Sequence, residues 1–437
     1  MHVKPIYSLG CGDRFGRAGE AQLAAYVEAS RQGVLVYPVW NKSHREHTTV
    51  HTKPASVRAE AEAAVARLGW EQPWFVDADH INFANMDSFI EPSDFFTIDV
   101  THCIGMTAER EDTDDFVSKY QSYTGEIHLE GIEDVLCLTI EDMRATAGKY
   151  LNAVKEAGRI YRHLALSKQG DFQVEVSIDE TDDPQTPLEL FVILAMIANE
   201  EIPVDTIAPK FSGRFNKGVD YVGDVAQFEK EFEQDIVILK YAGKHFGLKD
   251  GLRLSVHSGS DKFGLYPGMN RIIRKHGVGL HVKTAGTTWL EEVIGLAEAG
   301  GSGLATARKI YTAALGRYDE LAAPYATVID INPEQLPSVE TVDAWSSEEF
   351  VNALRHVQSC PDYNPSFRQL LHVAYKVAHE LGDEYLSALD EHRNIVARNV
   401  TENLLKRHLL PLFGGVSTAE CVAPDESDRD AMKVAES

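Results

Sequence analysis

Three segments place a histidine at or just past the end of a short apolar run: VDADHI with Asp79 and His80, SVHSGSDK with His257, and GLHVKTAGT with His281. A single histidine after a strand is ordinarily a hydrogen-bonded loop residue. Three of them, brought to one rim, could share an ion, and three imidazoles with a fourth position open make a catalytic metal arrangement. His80, His257 and His281 are therefore the candidate ligands for a divalent cation such as Zn, Mn or Ni. A fourth segment, SIDETDDP, ends in carboxylates. Asp182, with Asp183 and Pro184, reads best as the cap of a helix beginning near Pro187. Asp79 and Glu180, closer to the strand ends, are the candidate proton carriers, one taking a proton and the other returning it.

The segment APKFSGRFNKGVDY puts Lys210, Arg214 and Lys217 within eight residues. In an acidic chain, a local cationic loop suits an anionic substrate group such as a carboxylate; the other reading is a solvated loop paired with nearby acids. Asn41, Lys42, Lys262 and Lys283 could hydrogen-bond the hydroxyls of a polyol. GCGDRFG follows a strand and precedes a helix, so a dinucleotide-binding turn must be weighed. Its glycine spacing is one residue too long, and Trp40-Asn41 stands where a ribose-binding acid is needed. The glycines read instead as a tight turn around Asp13 and Arg14. His372, in RQLLHVAYKVAHEL, reads as a packed helix residue.

What could bring these residues together is a series of eight apolar runs: Pro5–Leu9, Val34–Trp40, Trp74–Ala78, Phe95–Val100, Phe172–Ile178, Thr206–Pro209, Leu252–Val256 and Val278–Val282. Continuous runs of this length suit strands covered on both faces, as in a parallel sheet under helices. Amphipathic stretches between them, such as Ser56–Leu68, Ile140–Leu166 and Val225–Phe246, supply those helices. The expected fold is α/β, a (β/α)₈ barrel with its chemistry at the C-terminal ends of the strands. The barrel should span residues 1–328, with an insertion near 101–139 that could lie over one end as a lid. A helical extension should follow over 329–422, and an acidic tail over 423–437 is expected to be disordered.

The totals bound the function. The chain has 437 residues with 44% hydrophobic and 25% charged side chains, ordinary for a soluble globular protein. Against 42 Lys plus Arg stand 67 Asp plus Glu, a formal charge of −25. Such an excess of acid disfavours nucleic acid or an anionic membrane as partner. Five cysteines without any C-x-x-C spacing point to a reducing, cytoplasmic setting. A homo-oligomer is compatible with everything in the sequence.

With these residues assembled, the chain resembles the tagaturonate epimerase family, the hexuronate C4-epimerases. The resemblance is carried by YSLGCGDRFG, VWNKSHREHT, VDADHINF, DFFTIDV, SIDETDDPQTPLEL, APKFSGRFNKGVDYVGD, VHSGSDKFGLYP, HVKTAGTTWLE and RQLLHVAYKVA, across most of residues 6–380. It implies a metal-dependent enzyme that interconverts D-tagaturonate and D-fructuronate, with ligands and proton carriers inside those segments. Members acting on the neutral ketohexoses fructose and tagatose are also compatible. The inverted carbon, C4, is β to the C2 carbonyl, so its hydrogen is not acidified by enolate formation. Retro-aldol cleavage of C3–C4, rotation of the aldehyde and re-closure avoids that barrier, with a divalent ion polarising the carbonyl. A metal-dependent sugar aldolase or isomerase and a non-catalytic sugar-binding barrel are the rival readings.

Overall fold

The computed structural model describes residues 6–133, 135–181, 183–284 and 286–415. Each expected run overlaps a strand: β1 Tyr7–Cys11, β2 Tyr37–Asn41, β3 Phe75–Ile81 and β4 Phe95–Asp99 come first. A hairpin, β5 Gly125–His128 and β6 Val135–Leu138, intervenes. Then follow β7 Gln173–Ser177, β8 Thr206–Ala208, β9 Arg253–Val256 and β10 Leu280–Val282. Eight strands close into one parallel barrel in chain order, β1-β2-β3-β4-β7-β8-β9-β10, with β10 pairing back onto β1. The register aligns Ser8 with His281 and Asn41 with Asp77, which fixes the depth of each inward-pointing residue.

The strands close because their outward residues are apolar and covered. Val76, Ala78, Phe96, Ile98, Val174, Val176, Leu254, Val256, Leu280 and Val282 are buried under the surrounding helices. Local signals set the helix starts. Thr139 and Thr186 each form a capping box, with Asp142 and Glu189, that opens helices Ile140–Ser167 and Pro187–Asn199. The cap of the second helix is thus Thr186 rather than the Asp-Asp-Pro segment expected, and Asp182 itself lies outside the described residues. Asp13 accepts hydrogen bonds from the backbone N–H groups of Phe15, Gly16, Arg17 and Ala18, which saturates its carboxylate and organises the turn before helix Gly19–Arg31.

The insertion does not sit over the strand ends. Its Tyr123 packs on His245 and Phe246, its Lys119 donates to Asn199 Oδ1, and its Gly131 lies beside His276. Asn199, His245, Phe246 and His276 are all at helix C-termini, and barrel helices run opposite to the strands. The antiparallel β5–β6 hairpin therefore packs on the outer wall toward the far end, and the expectation of a lid is corrected.

The C-terminal helices supply the roof instead. Helix Pro365–Val373 receives the Trp289 Nε1 hydrogen bond on Leu371 O, and Tyr375 lies under Arg14. From there the chain descends along the barrel wall until Phe413 stacks on Tyr7 at the opposite end. Helix Arg393–Glu402 lies against helix Thr287–Ala299 so closely that a Cβ on Gly295 would stand 2.7 Å from Val396 Cα. The expected tail over 423–437 lies outside the described residues. Gly295→Ala should therefore destabilise the protein by roughly 1–3 kcal/mol in a denaturant melt, although alanine is the better helix former; an unchanged or raised midpoint would contradict this packing.

Candidate active site

Inside a barrel of this kind the layers of side chains are usually branched and apolar. Here the upper layers are charged. β3, β4, β7 and β10 aim Asp77, Thr97, Glu175 and Lys283 at one another across the barrel. Lys283 Nζ lies 2.7 Å from Asp77 Oδ2, 2.7 Å from Asp79 Oδ1 and 3.7 Å from Glu175 Oε1, and donates to Thr97 Oγ1 at 2.5 Å. Thr206 Oγ1 donates to Glu175 Oε2 at 2.7 Å. The three carboxylates hold Lys283 above the usual ammonium range despite its burial. Burial and the neighbouring Asp79 push Asp77 up to about 6 in spite of Lys283. Burial opposes the charge on Asp79 too, but there Lys283 and His80 prevail and hold it down to about 2.

One layer higher, His257 bridges two carboxylates, with Nε2 at 2.7 Å from Glu175 Oε1 and Nδ1 at 3.2 Å from Asp179 Oδ2. Burial works against a charged ring, yet Asp179 and Glu175 raise His257 to about 10. His80 faces it from across the barrel with ring centroids 5.0 Å apart, its Nδ1 3.3 Å from Asp99 Oδ2 and its Nε2 3.8 Å from Asp79 Oδ1. Plain strand alternation would turn His80 away from Asp77 and Asp79. Instead the β3–β4 register slips between Ala78 and Ile81, and His80 takes φ +53, a left-handed conformation rare for a side chain with a Cβ. That local strain swings the imidazole toward the carboxylates.

His281 does not join the pair. It is fully buried in register with Ser8 and Ser255, its Nδ1 is 2.9 Å from Ser8 Oγ, and its ring rests 5.2 Å from Phe95. Burial lowers it to about 3, so it stays neutral. It lies two positions before Lys283, one full step down the strand on the same face, and this depth keeps it below the level of His80 and His257. The shared three-imidazole centre expected from the sequence is therefore replaced by two facing imidazoles and a set of carboxylates. Asp99 and Glu175 meet the two imidazoles although motif reading passed over them, and Asp179, one of the carboxylates that end SIDETDDP, joins them. Their signal was period-two alternation: Phe95-Thr97-Asp99 and Glu175-Ser177-Asp179 place one face of each strand inside the barrel.

The donors suit a divalent ion in type and charge. Asp79 Oδ1 and His257 Nδ1 are buried and engage no neighbour in hydrogen-bond geometry, close as Lys283 and Asp179 lie. Among the described residues, no three His, Cys, Asp or Glu side chains already stand as a finished ligand set.

The remaining sequence candidates separate into two groups. Asn41 is 2% exposed at the end of β2, and among the described residues neither its amide nitrogen nor its oxygen has a partner, which leaves a donor and an acceptor beside Asp77. Gly12 makes its room, because a Cβ there would meet Asn41 O at 2.9 Å. Lys217 is half-buried within electrostatic reach of Glu46, Arg14, Asp79 and Glu180, and among the described residues no hydrogen bond or ion pair engages its ammonium. Glu180 is exposed at the rim and likewise has no partner among the described residues. Asn41, Lys217, Asp79 and Glu180 thus belong to the barrel mouth.

Four cations expected to bind substrate are engaged elsewhere. Lys42 alternates to the outer face, donating to Arg14 O at 2.7 Å beside a groove lined by Asp13 and Glu60. Lys210 donates to Thr181 O, and Arg214 pairs at the surface with Asp330 at 2.9 Å. Lys262 is buried and donates to Asn216 O, Val219 O and Ser260 O, tying two loops together. Lys283 is the floor of the site rather than a sugar-binding arm. A second cation was not anticipated: Arg14, paired with Glu46 at 2.8 Å and lying 4.0 Å from the Tyr375 ring, roofs the mouth next to His372.

Among the described residues no helix is long and apolar enough to cross a membrane. The family model for tagaturonate epimerase matches residues 1–412. The tagaturonate/fructuronate epimerase of Thermotoga maritima is 27% identical over 421 residues, 93% of this chain and 81% of that protein. A glycerol-complexed crystal structure of the fructuronate-tagaturonate epimerase from Cohnella laeviribosi superposes with a TM-score of 0.77 at 25% identity, covering 94% of this chain and 82% of that one. A native crystal structure of the same enzyme gives 0.76 at 25% identity, with 95% and 82% covered. Match and barrel agree: the chain belongs to the tagaturonate epimerase family and is an enzyme of the isomerase class.

Proposed function

We propose that the chain interconverts D-tagaturonate and D-fructuronate by inverting C4, through cleavage and re-formation of the C3–C4 bond. One juxtaposition supports this reading: the acid-lined barrel mouth lies, through Asp79 and Glu180, within electrostatic reach of Lys217, a half-buried ammonium with no partner among the described residues. The acid lining suits a divalent ion, and the ammonium suits the carboxylate of a uronate. His80, His257 and Asp179 would hold the ion, with Asp79 beside them, and when bound it supplies Lewis-acid polarisation of the sugar's carbonyl and adjacent hydroxyl.

The chain's own residues do the rest. Lys217 grips the uronate carboxylate and sets the register of the sugar. Asn41 offers its free amide to hydroxyls near the floor. Asp79, ion-paired with Lys283 and held to about 2, is a weak base at neutral pH, so its part is to orient and to stay charged. The proton carrier is then Glu180. It takes the proton from the C4 hydroxyl as the C3–C4 electron pair moves toward C2. After the aldehyde has turned, the C3–C4 bond re-forms on its other face. Water, which the exposed position of Glu180 admits, relays the same proton from Glu180 to the new alkoxide.

Incubation with D-tagaturonate and chromatography of the products tests the reaction, with D-fructuronate as the expected product. Three-carbon fragments would point to an aldolase, and a shifted carbonyl to an aldose–ketose isomerase. Glu180→Gln should lower kcat about 100-fold or more with KM little changed, and retention of kcat would remove Glu180 from the chemistry. Lys217→Ala should raise KM for tagaturonate about tenfold to a hundredfold, the equivalent of one charged hydrogen bond, while turnover of a neutral ketohexose is unaffected. Equal losses on both substrates would contradict the assignment of Lys217 to the carboxylate.

A further inference from the structure

The loop after β9, which carries His257, and the loop after β8, which carries Lys217, meet on a buried arginine that belongs to neither. Arg368, on helix Pro365–Val373 of the C-terminal extension, has no exposure to solvent. Its three nitrogens address three different segments. Nε donates to Gly218 O, next to Lys217; Nη2 reaches Asp261 Oδ1 at 3.1 Å, four residues past His257; and Nη1 donates to Leu354 O at 2.9 Å.

The loops themselves need such support. Ser258 and Asp261 both take positive φ, +49 and +62, conformations that cost energy in any residue with a Cβ. Asp261 is 1% exposed; His356 Nδ1 lies 3.5 Å from its Oδ1, and its own N–H donates to His408 Nε2 at 3.3 Å. Lys262 adds three hydrogen bonds to backbone carbonyls on both loops, and Lys217 N–H donates to Val328 O at 2.8 Å. Asp261 is the acidic partner of Arg368, and Arg368 is the residue whose guanidinium links the two loops to the roof.

We infer that Arg368 is a positioning residue for the epimerisation: by binding Gly218 O and Asp261 with one rigid planar group, it fixes Lys217 relative to the floor of the site. The inference rests on the reading of Lys217 as the grip on the uronate carboxylate. The guanidinium reaches three separate acceptors from three nitrogens held in one plane, whereas a lysine ammonium donates from a single atom and does not span the same positions, so Arg368→Lys keeps the charge and loses the geometry. A residue that stabilised the fold alone would lower the amount of active enzyme without changing KM.

The test is a double-mutant cycle on the full chain loaded with its divalent ion, comparing wild type, Lys217→Ala, Arg368→Lys and the double variant on tagaturonate. Arg368→Lys should raise KM about fivefold or more with kcat little changed, and should add nothing further in the Lys217→Ala background. The same factor in both backgrounds, or an unchanged KM for Arg368→Lys, overturns the inference. Should Arg368→Lys fail to fold, Asp261→Asn, nearly equal in shape, runs through the same cycle with the same expectation and the same contrary outcomes. Lys217→Ala with an unchanged KM for tagaturonate instead overturns the carboxylate grip, and the positioning role with it, so the two failures are told apart by that single variant.

Discussion

Asp77, Asp79, Asp99, Glu175 and Asp179 converge on a barrel interior that answers them with Lys283, His80 and His257. Charge taken out of water must be neutralised by near neighbours, or it titrates away. Lys283 neutralises part of the lower layer, and a proton on His257 does the same for Glu175 and Asp179. The demand for positive charge at the upper layer is what raises that imidazole so far. On the proposed function, a divalent ion would meet the same demand while displacing imidazole protons, and would add an electrophile that a proton cannot provide. The pairing of Lys283 with the lower carboxylates, the raised His257 and the weakly basic Asp79 are thus consequences of one electrostatic constraint.

Geometry is set around that constraint from both directions. From within, the slipped register and left-handed backbone of His80 turn a side chain inward that regular pleating would have sent to the helices. From above, the C-terminal extension brings Arg368 to the Lys217 and His257 loops and sets Tyr375 under Arg14. The extension is therefore part of the site's architecture and not an appendage. Its descent to Tyr7 at the far end of the barrel anchors the roof to the wall it covers.

Much of this was legible in the residues alone. Continuous apolar runs separated by amphipathic stretches specify buried parallel strands, and all eight barrel strands fall within or overlap the expected runs. His80, His257, Asp79 and Asn41 were legible because they stand where strands end, and Lys217 because it belongs to a cationic loop after β8. What failed has physical causes. His281 looked equivalent to His257, but depth along a strand depends on the closing register of β10 against β1, which no local pattern reveals. Lys42, Lys210, Arg214 and Lys262 are as polar as Lys217, and only tertiary contacts decide which cation is left unpaired. Glu175 and Asp99 lie inside apolar runs, where an ionisable residue buried on a strand had to be partnered; that demand was the available clue. The β5–β6 hairpin was missed because its strands are short and half-exposed, and its position on the outer wall depends on Tyr123 and Lys119 meeting helix ends distant in sequence.

The central claim, that this carboxylate-rich barrel is built to hold a divalent cation between His80 and His257, is tested most directly by calorimetric titration of the metal-stripped protein with Zn or Mn, in two buffers of different ionisation enthalpy. The account predicts binding of a single ion per chain, accompanied by proton release, and loss of that binding in His257→Ala. Absence of binding, or an unchanged isotherm in His257→Ala, would contradict it.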